Sequence, residues 1–507
     1  MKKWFCLLIS AALLLGAVCA ASAEEIDAFN WYEIFVYSYQ DSDGDGIGDL
    51  NGVRQRLDYI EDMGFDGIWL MPIMPSPSYH KYDVTDYCAV DPLYGTVDDL
   101  KALAADCHER GIRLIIDLVV NHTSSRHPWF IEATAALRRG ETDNPYVGYY
   151  CFSQQGGGKM VPLSGTDWYY EEQFSGGGMP DLNLENPAVM EELRGIMAFW
   201  LEECGVDGFR LDAVTSFVAG NIEGNIQCLR RIKAMAEEIR PGSYLVGEAW
   251  TSLNEIARYY ESGVDSFFLF PASQAEGYIA QVIRGMKPAS TYALYLRQVQ
   301  DALPASVWAP FLSNHDTGRA VAAMQARTNP AKLKFAHALI NLMGGNTFTY
   351  YGEEIGMAGS GDDPNKRTAM YWNDGDMTRN PPGVTRVEYP YPCVDEQLAD
   401  PDSLLNYIRA VNLLKKQFPA IARGERATLW NDERLCLLRR DWQGETILIA
   451  INFSDAEALE LALPGEVGHP VLAGELTASG GACLLDADSG VLSLPPYGVA
   501  ILTVAGD

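Results

Sequence analysis

The stretch Gly208–Val214 reads GFRLDAV, and the rest of the chain is arranged around it. It enters a short apolar strand after an amphipathic run, and it carries Arg210 and Asp212 two residues apart. Side chains at i and i+2 of a strand share a face, so these two point the same way. A guanidinium beside a carboxylate favours the ionised carboxylate and lowers its pKa. That suits a nucleophile that must stay charged at neutral pH. A purely structural Arg–Asp pair would read the same, so the surrounding chain has to decide.

The flanking segments repeat one pattern. Leu114–Val120 (LIIDLVV) is an almost continuous apolar strand that ends in Asn121-His122. On the other side Tyr244–Ala249 (YLVGEA) ends in Glu248-Ala249-Trp250. Further strands are read at Trp31–Tyr39, Gly67–Ile73, Asp265–Phe270, Trp308–Ser313 and Thr347–Tyr351, with helical patterns between them. Continuous apolar strands alternating with helices predict a parallel sheet buried on both faces. Eight such repeats predict an α/β chain folded as a (β/α)8 TIM barrel.

The alternation breaks after the third strand. Residues 122–185 hold two triple-glycine runs and many aromatics, and they read as an irregular insertion. An insertion at the carboxyl end of a barrel strand overhangs the face where sites form. Its rings either stack on sugars or make a small core of their own. Beyond residue 421, short alternating runs separated by Gly, Pro and Asp turns predict an antiparallel β-sandwich. The expected layout is a signal at 1–23, the barrel at 24–121 and 186–420, the insertion at 122–185 and the sandwich at 421–507.

Lys2 and Lys3, the apolar run Trp4–Val18 and the site Ala21-Ser22-Ala23 have the form of a secretory signal peptide, cleaved after Ala23. The mature chain is therefore expected to be secreted, without a membrane span, and to act as a monomer. Two of the ten cysteines fall in the signal; the others are scattered without a CxxC pair, which argues against a zinc site. Disulfides and buried thiols are both compatible with their spacing. The net charge of −30 argues against nucleic acid as a partner and suits a neutral substrate and a bound cation.

The cation has an obvious place. Asp41, Asp43, Asp45 and Asp49, with Gly46, match the first nine positions of an EF-hand loop. Position twelve is Gly52 rather than Glu, so this is a DxDxDG loop and not an EF-hand. The expected ligands of a structural Ca2+ are the four carboxylates and the carbonyl of Ile47. A solvated acidic turn is the alternative.

Chemistry in such a barrel sits at the carboxyl ends of the strands. Those ends carry Asn121 and His122, Arg210 and Asp212, Glu248, and His315 and Asp316. Carboxylates about 5–5.5 Å apart serve retaining glycoside hydrolysis, one attacking the anomeric carbon and the other protonating the leaving oxygen. Asp212, beside Arg210, is the better nucleophile. Glu248 has no cation next to it in sequence and is the better acid. Asp316 is left to oppose the positive charge of the transition state.

Four short motifs now stand in order: DLVVNH (Asp117–His122), GFRLDAV, GEAW (Gly247–Trp250) and FLSNHD (Phe311–Asp316). Together they resemble the α-amylase family, glycoside hydrolase family 13, over essentially the whole mature chain. The resemblance implies Asp212 as nucleophile, Glu248 as acid/base and Asp316 as stabiliser. It implies Tyr82, His122, Arg210 and His315 as contacts to the glucose at the cleavage point. The insertion becomes the family's domain B and the tail its domain C. MPDLN (Met179–Asn183) resembles the group between oligo-1,6-glucosidases and neopullulanases.

Two departures bear on specificity. Thr215 and Ser216 stand where typical α-amylases carry Lys-His, which removes a usual sugar contact and a ligand of a second calcium. Tyr79 stands where exo-acting relatives place a chain-end aspartate, which favours endo action, whereas Arg367 in RTAMYW resembles the exo-enzymes. The expected activity is cleavage of internal α-1,4-glucosidic bonds in starch and maltooligosaccharides. The alternative is a cyclomaltodextrinase, neopullulanase or α-glucosidase acting on short α-glucans.

Overall fold

Seven parallel strands curl side by side in the order Thr347–Tyr350, Asn30–Ile34, Gly67–Leu70, Arg113–Leu118, Gly208–Leu211, Tyr244–Gly247, Ser266–Phe267. The computed structural model describes residues 29–504, apart from 304–306 and 466–467. The expected signal peptide lies outside the described residues.

The gap between the last and first of these strands is filled by the expected seventh barrel strand. It contributes two parallel bridges, Phe268 to Ala309 and Phe311 to Phe348, instead of a continuous ladder. Pro310 explains the interruption, because it has no N–H to donate; its carbonyl still accepts from Phe348. The sixth strand is also shorter than read, since Phe270–Ala272 turns into a 3-10 helix.

Inside the barrel, alternate side chains form a closed aromatic core that includes Trp31, Trp69, Tyr244, Phe268, Phe311 and Phe348. Trp31 stacks on Tyr244 at 4.9 Å and on Phe348 at 5.5 Å. Gly67 pairs with Trp31 in register, and a Cβ there would sit 2.4 Å from the indole. The outer strand faces pack against helices in one large apolar cluster. That two-sided burial is why these strands read as unbroken apolar runs.

The insertion is more ordered than its composition suggested. It opens with a 12-residue helix, Pro128–Arg139, which the sequence reading missed. The signals were present: His127 caps the start, Pro128 holds the first turn, and Gly140 ends the helix at φ 79°. A small three-stranded sheet follows (Phe152–Ser153, Met160–Pro162, Tyr169–Glu171). Bridges from His122 to Asp181 and from Tyr150 to Leu182 close the insertion on itself, and the Leu182 N–H donates to the carbonyl of Asn121 at the barrel rim.

The tail is two facing antiparallel sheets, one of five strands and one of three. Leu437, Leu448, Ala450, Leu492, Leu494 and Leu502 fill the space between them. Strands at Glu425–Asn431, Pro470–Thr477 and Leu484–Asp486 add to those expected. All eight described cysteines are free thiols. Among the described residues no helix is long and apolar enough to cross a membrane.

Candidate active site

At the carboxyl ends of the barrel strands lies an open cleft of about 440 Å³. Its floor and walls include Tyr82, His122, Asp212, Glu248 and Asp316, with Phe174 and Met179 leaning in from the insertion. Arg210 and His315, expected as contacts to the glucose, lie directly beneath the cleft, fully buried and outside its lining.

Arg210 is the hub. Its Nη1 lies 2.7 Å from Asp212 Oδ1 and 2.9 Å from Asp117 Oδ1, while Nη2 lies 3.0 Å from Glu248 Oε2. Burial alone would lower its pKa, and the carboxylates of Asp117, Glu248 and Asp212 reverse that. The strand ends at Leu211, and Ala213 then takes a left-handed backbone, φ 48°. That turn aims the Ala213 N–H at Glu248 Oε2, 3.0 Å away. A non-glycine residue held in this region costs about 1–3 kcal/mol, and such strain concentrates at functional sites. Here it holds the Glu248 carboxyl against the backbone next to Asp212.

Burial pushes Glu248 up to about 7; the charges of Asp212 and Asp316 add to this, against the pull of Arg210 and of the Ala213 N–H. It therefore holds a proton near neutrality, as a general acid must. Glu248 has no cation beside it in sequence, but in space one guanidinium serves both carboxyl groups. The acid is made by burial and like charge instead.

On the other side, His315 Nδ1 lies 2.6 Å from Glu33, and Nε2 lies 2.7 Å from the Tyr82 hydroxyl and 3.1 Å from Asp316. Burial lowers the imidazole's pKa, but Asp316 and Glu33 outweigh it and raise it to about 9. The ring is thus a cation with both N–H groups donating. Tyr82 passes its own proton towards Asp117, 3.0 Å away. Burial would raise the Asp316 carboxyl; His315 and Arg367, 2.7 Å away, hold it well below the usual carboxylate range. Burial keeps His122 neutral, and its Nε2 has no partner among the described residues. It lines the cleft with one polar atom unspent.

Three functional-looking residues had been passed over in sequence. Asp117 and Glu33 are buried carboxylates inside apolar strands. A buried charge needs a partner, so a lone acid in such a strand was a usable signal. Trp250 is half exposed, stacks on Phe270 at 4.6 Å and lines the cleft beside Glu248. Nothing in the sequence shows which way it faces.

The acidic loop folds as a tight coil with Gly44 and Gly46 at positive φ. Carboxylate oxygens of Asp41, Asp43 and Asp49 lie within 4.8 Å of one another. Asp45 is outside that group; its Oδ1 accepts the Ile47 N–H at 2.7 Å. Asp49 also caps the helix Leu50–Gln55 through Gly52 N–H. Three hard oxygen donors converging on one point fit the chemistry of a calcium ion.

Residues 33–424 match the family described as alpha amylase, catalytic domain. Alpha-amylase 3 of Dictyoglomus thermophilum is 36% identical over 439 residues, covering 84% of this chain and 85% of that protein. Oligo-1,6-glucosidase of Bacillus sp. (strain F5) is 32% identical over 506 residues, covering 82% and 98%. The solved structure of Eubacterium rectale Amy13B superposes with a TM-score of 0.91 at 41% identity, covering 95% of this chain and 96% of that one. With a buried acid, two further carboxyl groups and an arginine hub at the mouth of a (β/α)8 barrel, the chain belongs to the alpha-amylase family and is a retaining glycoside hydrolase.

Proposed function

We propose that this enzyme cleaves internal α-1,4-glucosidic bonds of starch and maltooligosaccharides by double displacement. Asp212 attacks the anomeric carbon. Glu248 protonates the departing glycosidic oxygen, and in the second step takes a proton from the water that releases the glycosyl group. Asp316, held charged by His315 and Arg367, opposes the charge of the oxocarbenium-like transition state. Tyr82 and His122 meet the glucose at the cleavage point. Arg210 and His315 act from below, fixing the carboxylates that touch it.

One observation carries the endo reading. Arg367 is spent on Asp316 at 2.7 Å, and Tyr79, the residue where a chain-end aspartate would stand, faces its guanidinium at 5.7 Å. No aspartate at position 79 closes the cleft over the end of a glucan. The second reading, action on short α-glucans, draws on Asp363. It lines the same cleft, 3.9 Å from Arg367, and offers a different carboxylate for a chain end.

The loop Asp41–Asp49 supports a structural Ca2+, held by Asp41, Asp43 and Asp49 with Asp45 and the Ile47 carbonyl completing the shell. The ion would neutralise the loop that leads into the first barrel helix. The sequence of residues 1–23 supports export, and N-terminal sequencing of the protein from culture medium tests it. The specificity is tested by following products from soluble starch beside maltotriose, pullulan and a cyclodextrin. A rapid fall in starch chain length with mixed maltooligosaccharides is expected. Glucose or maltose alone, or preference for the cyclodextrin or pullulan, would replace the endo reading with the short-substrate one.

A further inference from the structure

The three carboxyl groups of the cleft are not held alike. Asp212 and Glu248 follow strands that pair in register on both sides, and the Glu248 N–H itself donates to the carbonyl of Leu211 at 2.9 Å. Asp316 follows the interrupted seventh strand, whose last bridge is at Phe311. Among the described residues no backbone–backbone hydrogen bond reaches Asp316. Its N–H donates to Asn314 Oδ1 at 3.1 Å, and its carbonyl accepts from Lys366 Nζ at 2.7 Å. A carboxylate that opposes charge must sit at a fixed distance from it. Here that distance is set by side chains and not by the sheet.

Lys366 closes the 3-10 turn Asp363–Lys366, on the loop after the eighth strand. Its side chain is 11% exposed. Besides the Asp316 carbonyl, the ammonium holds Asp363 Oδ1 at 2.8 Å, and Asp363 lines the cleft. The next residue, Arg367, takes the other end of Asp316. Its Nη2 donates to the Asp316 carboxylate at 2.7 Å, and its Nε donates to the His315 carbonyl at 3.1 Å. The turn is itself braced. The fully buried Arg319 donates from Nε to the Lys366 carbonyl at 2.9 Å, and the Ser38 hydroxyl donates to the Arg367 carbonyl at 2.7 Å. Two consecutive cations thus reach from a fixed turn to the main chain and the carboxylate of one residue. A lysine that only stabilised the turn would need Asp363 alone. The second bond crosses to the residue on which the chemistry depends.

We propose that Lys366 is a positioning residue for Asp316. It fixes the Asp316 main chain, so that the carboxylate aligned by Arg367 meets the anomeric centre, and it sets that position relative to Asp363 on the cleft wall. The inference rests on Asp316 acting as the charge stabiliser of the proposed mechanism.

The test uses the full-length enzyme with soluble starch and a chromogenic aryl maltotrioside, each variant assayed well below its thermal midpoint. Lys366→Met keeps the stem and removes the donor. It is expected to cut kcat on both substrates by about 10–100-fold with KM changed less than about 3-fold, the pattern of an interaction realised in the transition state. Lys366→Arg keeps a cationic donor and should recover most of that loss. Should Lys366→Met not fold, Lys366→Gln, whose neutral amide is too short to span both oxygens, should show the same split. A lysine with a structural role alone would lower the thermal midpoint and leave kcat unchanged. Asp316→Asn, run in parallel, separates the two levels. Wild-type turnover there would remove the stabiliser role, and this inference with it. An inactive Asp316→Asn beside a Lys366→Met of wild-type kcat would overturn the inference on Lys366 alone. A loss confined to KM, or a Lys366→Arg no more active than Lys366→Met, would also overturn it.

Discussion

Arg210 and Asp117 form a closed pair: Nη1 lies 2.9 Å and 3.0 Å from the two carboxylate oxygens, and neither side chain is exposed. Asp117 belongs to the third strand and Arg210 to the fourth, and they are register partners. The pair anchors the guanidinium from below, so that its other bonds reach up to Asp212 and Glu248. Removing one partner of a buried pair costs about 3–5 kcal/mol. Asp117→Asn keeps the shape and loses the charge. It should lower the thermal midpoint and cut kcat, with KM changed less, measured on the same maltooligosaccharide. A variant with wild-type kcat would show that Asp117 does not position the hub.

Glu248 sets the alkaline limit of activity. Its carboxyl titrates near 7, and only the protonated form donates to the leaving oxygen. The profile of kcat/KM against pH should therefore fall above about 7. Glu248→Gln should cost about 10²–10⁴ in kcat on natural glucans, and the alkaline limb should vanish from what remains. Unchanged turnover would remove Glu248 from the mechanism.

Glu353 lies under the site, fully buried, accepting from the Ser313 hydroxyl, and burial pushes it up to about 8. A carboxyl raised above its ordinary value stabilises the fold below that ordinary value and loses this contribution as pH rises through 8. Glu353→Gln cannot titrate. The stability of the variant relative to wild type should therefore improve by about 2.7 kcal/mol between about pH 6 and pH 9, read by urea unfolding. A constant difference across that range would show that Glu353 does not titrate there.

Trp250 offers a flat, half-exposed face next to the acid, braced by Phe270. It suits a sugar beyond the cleavage point. Trp250→Ala should lower kcat/KM for long maltooligosaccharides by roughly 5–30-fold, equivalent to about 1–2 kcal/mol. Hydrolysis of a short aryl glycoside should change little. Equal losses on both substrates would mean that the ring supports the acid instead.

Chelation should expose the role of the acidic loop. Stripping calcium is expected to lower the thermal midpoint, by an amount equivalent to about 2.7 kcal/mol if the ion had been at one hundred times its Kd. Calcium, but not magnesium, should restore it, since magnesium resists a largely dehydrated site. Asp41→Asn with Asp43→Asn should be indifferent to chelator. A wild-type midpoint indifferent to chelator would leave the loop as a solvated turn.

Much of this protein is legible in one dimension. Periodicity reports burial, and barrel strands buried on both faces read as unbroken apolar runs, as in Leu114–Val120. Turn chemistry marks their ends, so Asp212, Glu248 and Asp316 stood out as polar residues where apolar runs stop. What sequence could not supply was distance. Asp117, Glu33 and Arg367 act through partners 93, 282 and 51 positions away in the chain. The pattern of an isolated strand does not name its partner; only closure of the barrel does. The same holds for electrostatics. Glu248 has no cation beside it in sequence and has Arg210 beside it in space, because adjacent parallel strands bring their carboxyl ends together. Its proton is held by burial and by neighbouring carboxylates, and both exist only once the chain is folded.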